Sequence, residues 1–286
     1  MSGMFTPDAD RRPRRARMTI LALVLVTLAA VGLAAALAIA NYRSTTTAPP
    51  AGTGLSHTAV PGKVTTLEPE PTPEPGWDVV AQKKLALRPM LRLPAEAAQP
   101  HELSPQAGPV LQIPEPSHAA GVWIPGGFPG TPEGALAQLK AADEAGLRGG
   151  DPTVYDRAYA DIALPGAPAV DRTGLHTLLS TFRMRAGIAA GELKPGLTVT
   201  YDVTHGQIKG TTDQGRYAVV CVLGILTFDY KGQSTSMGVG DCQAMRWTGD
   251  AWRISTGNQA AMAASAWPGS AESVQAGYRS LGEIPR

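Results

Sequence analysis

Hydrophobic positions fall into distinct regimes along the chain. The first is an apolar run of 23 residues without a charge, Met18 to Ala40. About 20 apolar residues at the helical rise match the hydrocarbon thickness of a bilayer, so the run predicts a transmembrane helix over 18–40. A cleaved signal peptide is the rival reading, with Ala36-Leu37-Ala38 or Ala38-Ile39-Ala40 as the cleavage site. Its apolar core spans only about 7–15 residues, and the length here favours an uncleaved anchor. Residues 41–76 have no such pattern. Thr45-Thr46-Thr47, Pro49-Pro50 and the Glu-Pro alternation of 68–75 give an extended, solvated stalk with little to bury.

Residues 77–130 mix the two characters. Trp77, Val79, Val80, Leu85, Leu87, Met90, Leu91 and Leu93 can pack, but the prolines from Pro89 to Pro116 exclude long helices and central strands. A short helix near 77–87 and an extended arm follow. From Thr131 the period becomes helical. Thr131-Pro132-Glu133 supplies an N-cap, a proline at the first helical position and an early acid, and Ala135, Leu136, Leu139 and Ala142 recur at helical spacing. Gly149-Gly150-Asp151-Pro152 separates this helix from a second bearing Tyr155, Ala158, Tyr159 and Ile162. A third runs from Thr173 to Ala189.

From Leu197 the period is two. Val199, Tyr201 and Val203 alternate with polar residues, and Tyr217 to Phe228 are nearly all apolar, as in a central strand. Ser236–Trp247 and Ala251–Ser255 complete a four-stranded antiparallel meander, and Ser270–Leu281 reads as a tail helix. Helices segregated on one side of an antiparallel sheet define an α+β fold over residues 131–286.

Charge orients this plan. The basic tail 1–17 carries Arg11, Arg12, Arg14, Arg15 and Arg17, and excess Arg on one flank holds that flank in the cytoplasm. The remainder is thereby expected outside the cytoplasm, tethered to the cell membrane by a single pass. Residues 1–43 hold six Arg against Asp8 and Asp10, leaving 19 basic and 22 acidic residues in 44–286. A mildly acidic ectodomain lacks the footprint of a nucleic-acid binder.

The two cysteines, Cys221 and Cys242, allow one intramolecular bridge, and compartments outside the cytoplasm favour it. If Lys231-Gly232 is a two-residue turn pairing Tyr230 with Gln233, paired residue numbers sum to 463, as 221 and 242 do. The pair then falls at a non-hydrogen-bonded position with Cα atoms about 4.5 Å apart, within disulfide range. The same register sets Asp241 opposite Val222, on the face of Val220, Leu226 and Phe228. An acid there is a candidate pocket acid with a raised pKa. The blander reading is a structural carboxylate near a sheet end. Asp202 and His205, three apart on one strand, are expected on opposite faces, and the remaining histidines read as surface or boundary residues. No nucleophile elbow, phosphate loop, zinc-binding His-Glu-x-x-His or dinucleotide fingerprint occurs. Catalytic, cofactor and metal residues are therefore expected to be none.

Helices followed by a bent meander resemble the cystatin-like roll of the nuclear transport factor two-like superfamily. More narrowly, Phe128–Ala137, Asp241–Trp247, Trp267-Pro268-Gly269-Ser270 and Tyr278-Arg279 resemble a family of single-pass actinobacterial membrane proteins. That resemblance covers residues 76–286 and implies no established activity. It is similar in plan to assembly proteins of conjugation and type IV secretion systems. The expectation is an anchored, non-enzymatic scaffold with protein partners at the arm or roll. The alternatives are a module binding a small ligand at the roll's open end, and an isomerase- or cyclase-like enzyme using Asp241 with a Tyr.

Overall fold

A computed structural model describes residues 76–284. The basic tail, the apolar run 18–40 and the stalk up to residue 75 lie outside the described residues. Among the described residues, no helix is long and apolar enough to cross a membrane.

The fold is α+β, with helices on a curved, mostly antiparallel half-barrel sheet. Each helix begins where a side chain can accept an orphan amide. Asp78 caps α1 (Val79–Leu87) through Ala81 N. Thr131 caps α2 (Pro132–Gly146) through Gly134 N, and Asp151 caps α3 (Pro152–Ile162) through Thr153 N. Thr173 caps α4 (Gly174–Ala186) through His176 N, and Gly187 ends that helix at φ +65°, a conformation that costs glycine little.

The sheet has six strands, with β1 at Leu111–Pro114 and β6 at Arg279–Ile284, in the order β1-β6-β2-β3-β4-β5. Its centre is the meander β2 (Leu197–Thr212), β3 (Tyr217–Tyr230), β4 (Gln233–Trp247) and β5 (Trp252–Ile254). Strands β3 and β4 pair without interruption from Tyr230↔Gln233 to Tyr217↔Arg246. Lys231 and Gly232 both have positive φ, 52° and 75°, the turn whose twist suits a hairpin. The register is the one expected, and Cys221 and Cys242 face one another with Cα atoms 4.0 Å apart and their sulfurs joined.

The tail departs from expectation. Only Ala271–Gln275 is helical (α5), and Arg279–Ile284 forms strand β6. Gly277, at φ +93°, turns the chain after one helical turn, so Tyr278 and Leu281 never share a helix face. Strand β6 pairs antiparallel with β2 and parallel with β1 (Leu111–Pro114), a four-residue edge strand in the Pro-rich segment.

Both faces of the sheet are covered. On one, α2, α3 and α4 bury Leu136, Leu139, Tyr155, Leu175 and Leu179 against Val199, Tyr201, Val220, Leu226 and Trp252. On the other, the arm brings Trp77, Leu85, Ala86 and Met90 against Tyr217, Val219, Leu223 and the disulfide. The segment 260–267 crosses this outer face on glycines: a Cβ on Gly238 would lie 1.8 Å from the Ala266 carbonyl oxygen.

Candidate functional site

Asp241 projects from β4 toward the helices and is only 6% exposed. Its Oδ2 accepts a hydrogen bond from Gln243 Nε2 at 2.8 Å. Burial pushes its carboxyl up to about 6, against hydrogen bonds from Gln243 and the Cys242 amide that favour the ionised form. Facing it from α2 is Asp143, 3% exposed. Burial, then the charges of Asp241 and Glu144, holds the Asp143 carboxyl well above the usual carboxylate range. Two carboxyls thus share one dry layer between helix and sheet, where double ionisation is disfavoured.

The phenols around them are committed elsewhere. Tyr201 Oη donates to the Val239 carbonyl and Tyr159 Oη to the Pro168 carbonyl, each at 2.8 Å. Burial, followed by the two carboxylates, raises Tyr155 and Tyr201. Neither of the two cavities described below is lined by Asp241, Asp143 or any tyrosine. This layer can hold a proton, since Asp241 raises both Asp143 and the neighbouring phenols.

The histidines are dispersed. A bulge between Val203 and His205 shifts the β2–β3 register, so Asp202 pairs with Ile225 and His205 with Leu223. Both therefore lie on the outer face, correcting the parity argument, which assumes an unbulged strand. Asp202 is exposed, and the His205 ring meets Ser280 Oγ at 3.1 Å and Thr204 Oγ1 at 3.0 Å instead. Burial lowers its pKa. His176 pairs with Asp156 at 2.7 Å on the helical layer. His101 and His118 bond locally to Glu96 O and Ser117 Oγ, and His57 is outside the described residues. Among the described residues, no group of three or more His, Cys, Asp or Glu could hold a metal ion.

A cavity of about 740 Å³ opens at the end of the meander where β3 begins and β4 ends. Trp77, Arg216, Arg246, Trp247 and Thr256 are among its walls. The guanidinium carbons of Arg246 and Arg216 lie 4.1 Å and 4.6 Å from the centre of the Trp77 ring, cation–π distances. Arg216 Nη2 also donates to the Gly76 carbonyl at 3.3 Å, fixing the chain as it enters the domain. Behind them Asp213 accepts from Asp78 N, Gln82 Nε2 and Thr212 Oγ1, each at 2.7 Å. Burial raises that carboxyl, but these bonds and Arg216 outweigh it and leave it below the usual range.

A second cavity, about 430 Å³, runs beside β1 and α2 past Trp123, Lys140 and Glu144. Two of its charged walls engage one another: Lys140 Nζ pairs with Glu144 at 2.8 Å, and Glu144 also accepts from Val203 N.

Sequence reasoning assigned no functional role to Trp77, which it read as a packing residue, or to Arg216, Arg246 and Asp143. Three of these left a signal. The hairpin register that pairs the cysteines also pairs Tyr217 with Arg246, which brings Arg216 to the same sheet end. Asp143 continues the Leu136, Leu139 stripe of α2 and so points into the core. Comparison with protein families, curated proteins and solved structures finds no match to this chain.

Proposed function

We propose that this chain is a membrane-anchored, extracytoplasmic, non-enzymatic scaffold or assembly protein. In this reading residues 18–40 span the cell membrane, the stalk 41–76 sets the distance, and a cystatin-like roll is presented to partner proteins. An apparatus of the conjugation or type IV secretion kind suits that architecture, an inference by plan alone.

One observation carries the reading. The helix-covered face of the curved sheet, where a roll would hold substrate or ligand, is filled by Leu136, Tyr155, Tyr201, Leu226 and Trp252. Asp241 is buried behind that packing. The arm, by contrast, leaves Val80, Leu87 and Leu91 exposed, and Met262 beside them, where Ala261 N bonds Ala86 O.

Photo-crosslinking in intact cells tests it, with a photoreactive residue at Val80, Leu87 or, as a control on α4, the exposed Met184. The expected result is one identified extracytoplasmic protein captured from Val80 and Leu87 and not from Met184. No captured protein, together with a discrete lipid or metabolite purifying on the chain, overturns the scaffold reading.

A further inference from the structure

Helix α1 sits inside out relative to the usual amphipathic pattern. A stripe at i, i+3, i+4 and i+7 ordinarily faces a core. Here that stripe is Val80, Lys83, Lys84 and Leu87, and all four residues are exposed. The opposite side of the helix buries Gln82 and Ala86. Polar bonds fix this seat. Gln82 Nε2 donates to Asp213 Oδ2 at 2.7 Å, and Ala261 N donates to the Ala86 carbonyl at 2.8 Å. Arg88 and Lys209 each donate from the side chain to the other's carbonyl. A helix held in this way presents its outer stripe already formed, which lowers the entropy lost on docking. Val80 is 75% exposed, and Leu91 and Met262, both exposed, extend the apolar surface at the C-terminal end of the helix.

Positive charge is concentrated on the same segment. Residues 79–95 contain Lys83, Lys84, Arg88 and Arg92 and no acid, whereas the rest of 44–286 holds 15 basic and 22 acidic residues. All four cations are exposed. The ion pairs among the described residues join Lys140 to Glu144, His176 to Asp156 and Arg183 to Asp151, and use none of the four. Arg88 is committed to the Lys209 carbonyl, so Lys83, Lys84 and Arg92 are the cations this surface offers. Apolar side chains alternate with these charges, and the complement is a segment whose apolar residues are flanked by carboxylates. An anionic membrane surface would answer the charge alone. Residues 79–95 contain no Trp, Tyr or Phe, the side chains that seat a basic helix in a lipid interface.

We propose that the surface from Val80 to Arg92 docks an acidic amphipathic segment of a partner protein. The apolar side chains of that segment pack on Val80, Leu87 and Leu91, and its carboxylates meet Lys83, Lys84 and Arg92. This names the chemistry of the partner in the scaffold reading and rests on that reading.

The test uses the full chain in intact cells, with a photoreactive residue at Leu87 and mass spectrometry of the crosslinked peptide. The expected result is a partner peptide in which Asp and Glu outnumber Lys and Arg and flank apolar residues. Changing Lys83→Glu, Lys84→Glu and Arg92→Glu together sets like charges face to face and lowers capture by about tenfold or more. All three positions are exposed, so the fold is retained. Lys83→Arg with Lys84→Arg keeps the charge and keeps the capture.

A captured peptide with no excess of acid, or capture unchanged by the charge reversal, overturns this proposal and leaves the scaffold reading standing. Crosslinks that land on Glu68, Glu70 or Glu74 and their neighbours give the surface to the chain's own stalk and overturn it too. Crosslinks to lipid with no captured protein give the surface to the membrane, and the scaffold reading then fails together with this one.

Discussion

The two faces of one sheet are built from alternate residues of the same strands, yet they are held by different physics. The helix-covered face buries large side chains, Leu136, Leu139, Tyr155, Tyr201 and Trp252, and sets Asp143 and Asp241 among them. On the outer face, five alanines and two cysteines make up most of the eleven buried residues. There backbone approaches backbone over Gly238 and Gly240, and a covalent bond joins the two central strands. The helix side derives its stability from volume and shape. The outer side derives it from close approach and from a cross-link. Substitutions that remove volume should therefore act on the first face, and reduction on the second.

Leu136→Ala tests the first half of that contrast and carries the largest expected effect. Leu136 is fully buried on α2 and seats against the strand where Gly206 has no side chain; a Cβ there would lie 2.9 Å from Leu136 Cδ2. Truncation removes apolar contacts and leaves a cavity between two rigid layers, a cost of about 4 kcal/mol. Urea unfolding of Leu136→Ala should show a lowered midpoint with an unchanged slope. A midpoint within error of the parent would mean that helix packing is not what holds this face.

The outer face is probed by replacing both cysteines with alanine. The bridge closes a loop of 21 residues, for which loop entropy gives about 3 kcal/mol. The cross-linked strands are already adjacent in a hairpin, so the native structure should persist. The expected outcome is a lower urea midpoint with the same tryptophan spectrum in the folded baseline. An equal loss on adding reductant to the parent chain would confirm the bond as the source. If the loss exceeds that of Leu136→Ala, the ranking of the two faces is reversed.

The same contrast explains what the sequence makes legible. Strands β3 and β4 contain no bulge, so a single turn at Lys231-Gly232 fixes every partner from residue 217 to residue 246, the cysteine pair included. Helices α2, α3 and α4 announce themselves through caps and apolar stripes because both signals are local. Strand β2 is different. Its register shifts between Val203 and His205 and again between Ile208 and Gly210, and each shift reverses which residues face the helices. Nothing in the local pattern marks those positions, since the bulges answer to neighbours distant in sequence. The tail misleads for a related reason: Val274, Tyr278 and Leu281 have helical spacing, but Gly277 breaks the helix and Tyr278 is claimed by the outer core, donating to Ala264 O at 2.9 Å. The Trp77 cavity needs the arm folded onto the sheet, a long-range arrangement that no local motif encodes.

Asp241 is where the two faces can be compared by titration, because among the described residues the outer face carries a disulfide and no buried carboxyl opposite it. In the unfolded chain an aspartate loses its proton near pH 4; in the folded chain burial holds Asp241 up to about 6. Between those values the folded state binds more protons than the unfolded state, so stability falls as pH rises from about 4 to about 6. Above about 6 the contribution of Asp241 is constant. Asp143, raised in the same direction by burial and by Asp241, adds to the decline. A shift of this size corresponds to stability on the order of 3 kcal/mol, below the Leu136 change and no larger than that of the disulfide. Asp241→Asn keeps the shape and an acceptor for Gln243 while removing the charge, so urea midpoints measured between pH 4 and 8 should decline less steeply than in the parent. It should also relieve Asp143 of its neighbour's repulsion, leaving a shallower residual slope from that one group. A parent midpoint that rises across the same pH window would mean that Asp241 is ionised and compensated in the folded chain. The helix-covered layer would then be polar in character, and the contrast between the two faces would have to be drawn on charge rather than on volume.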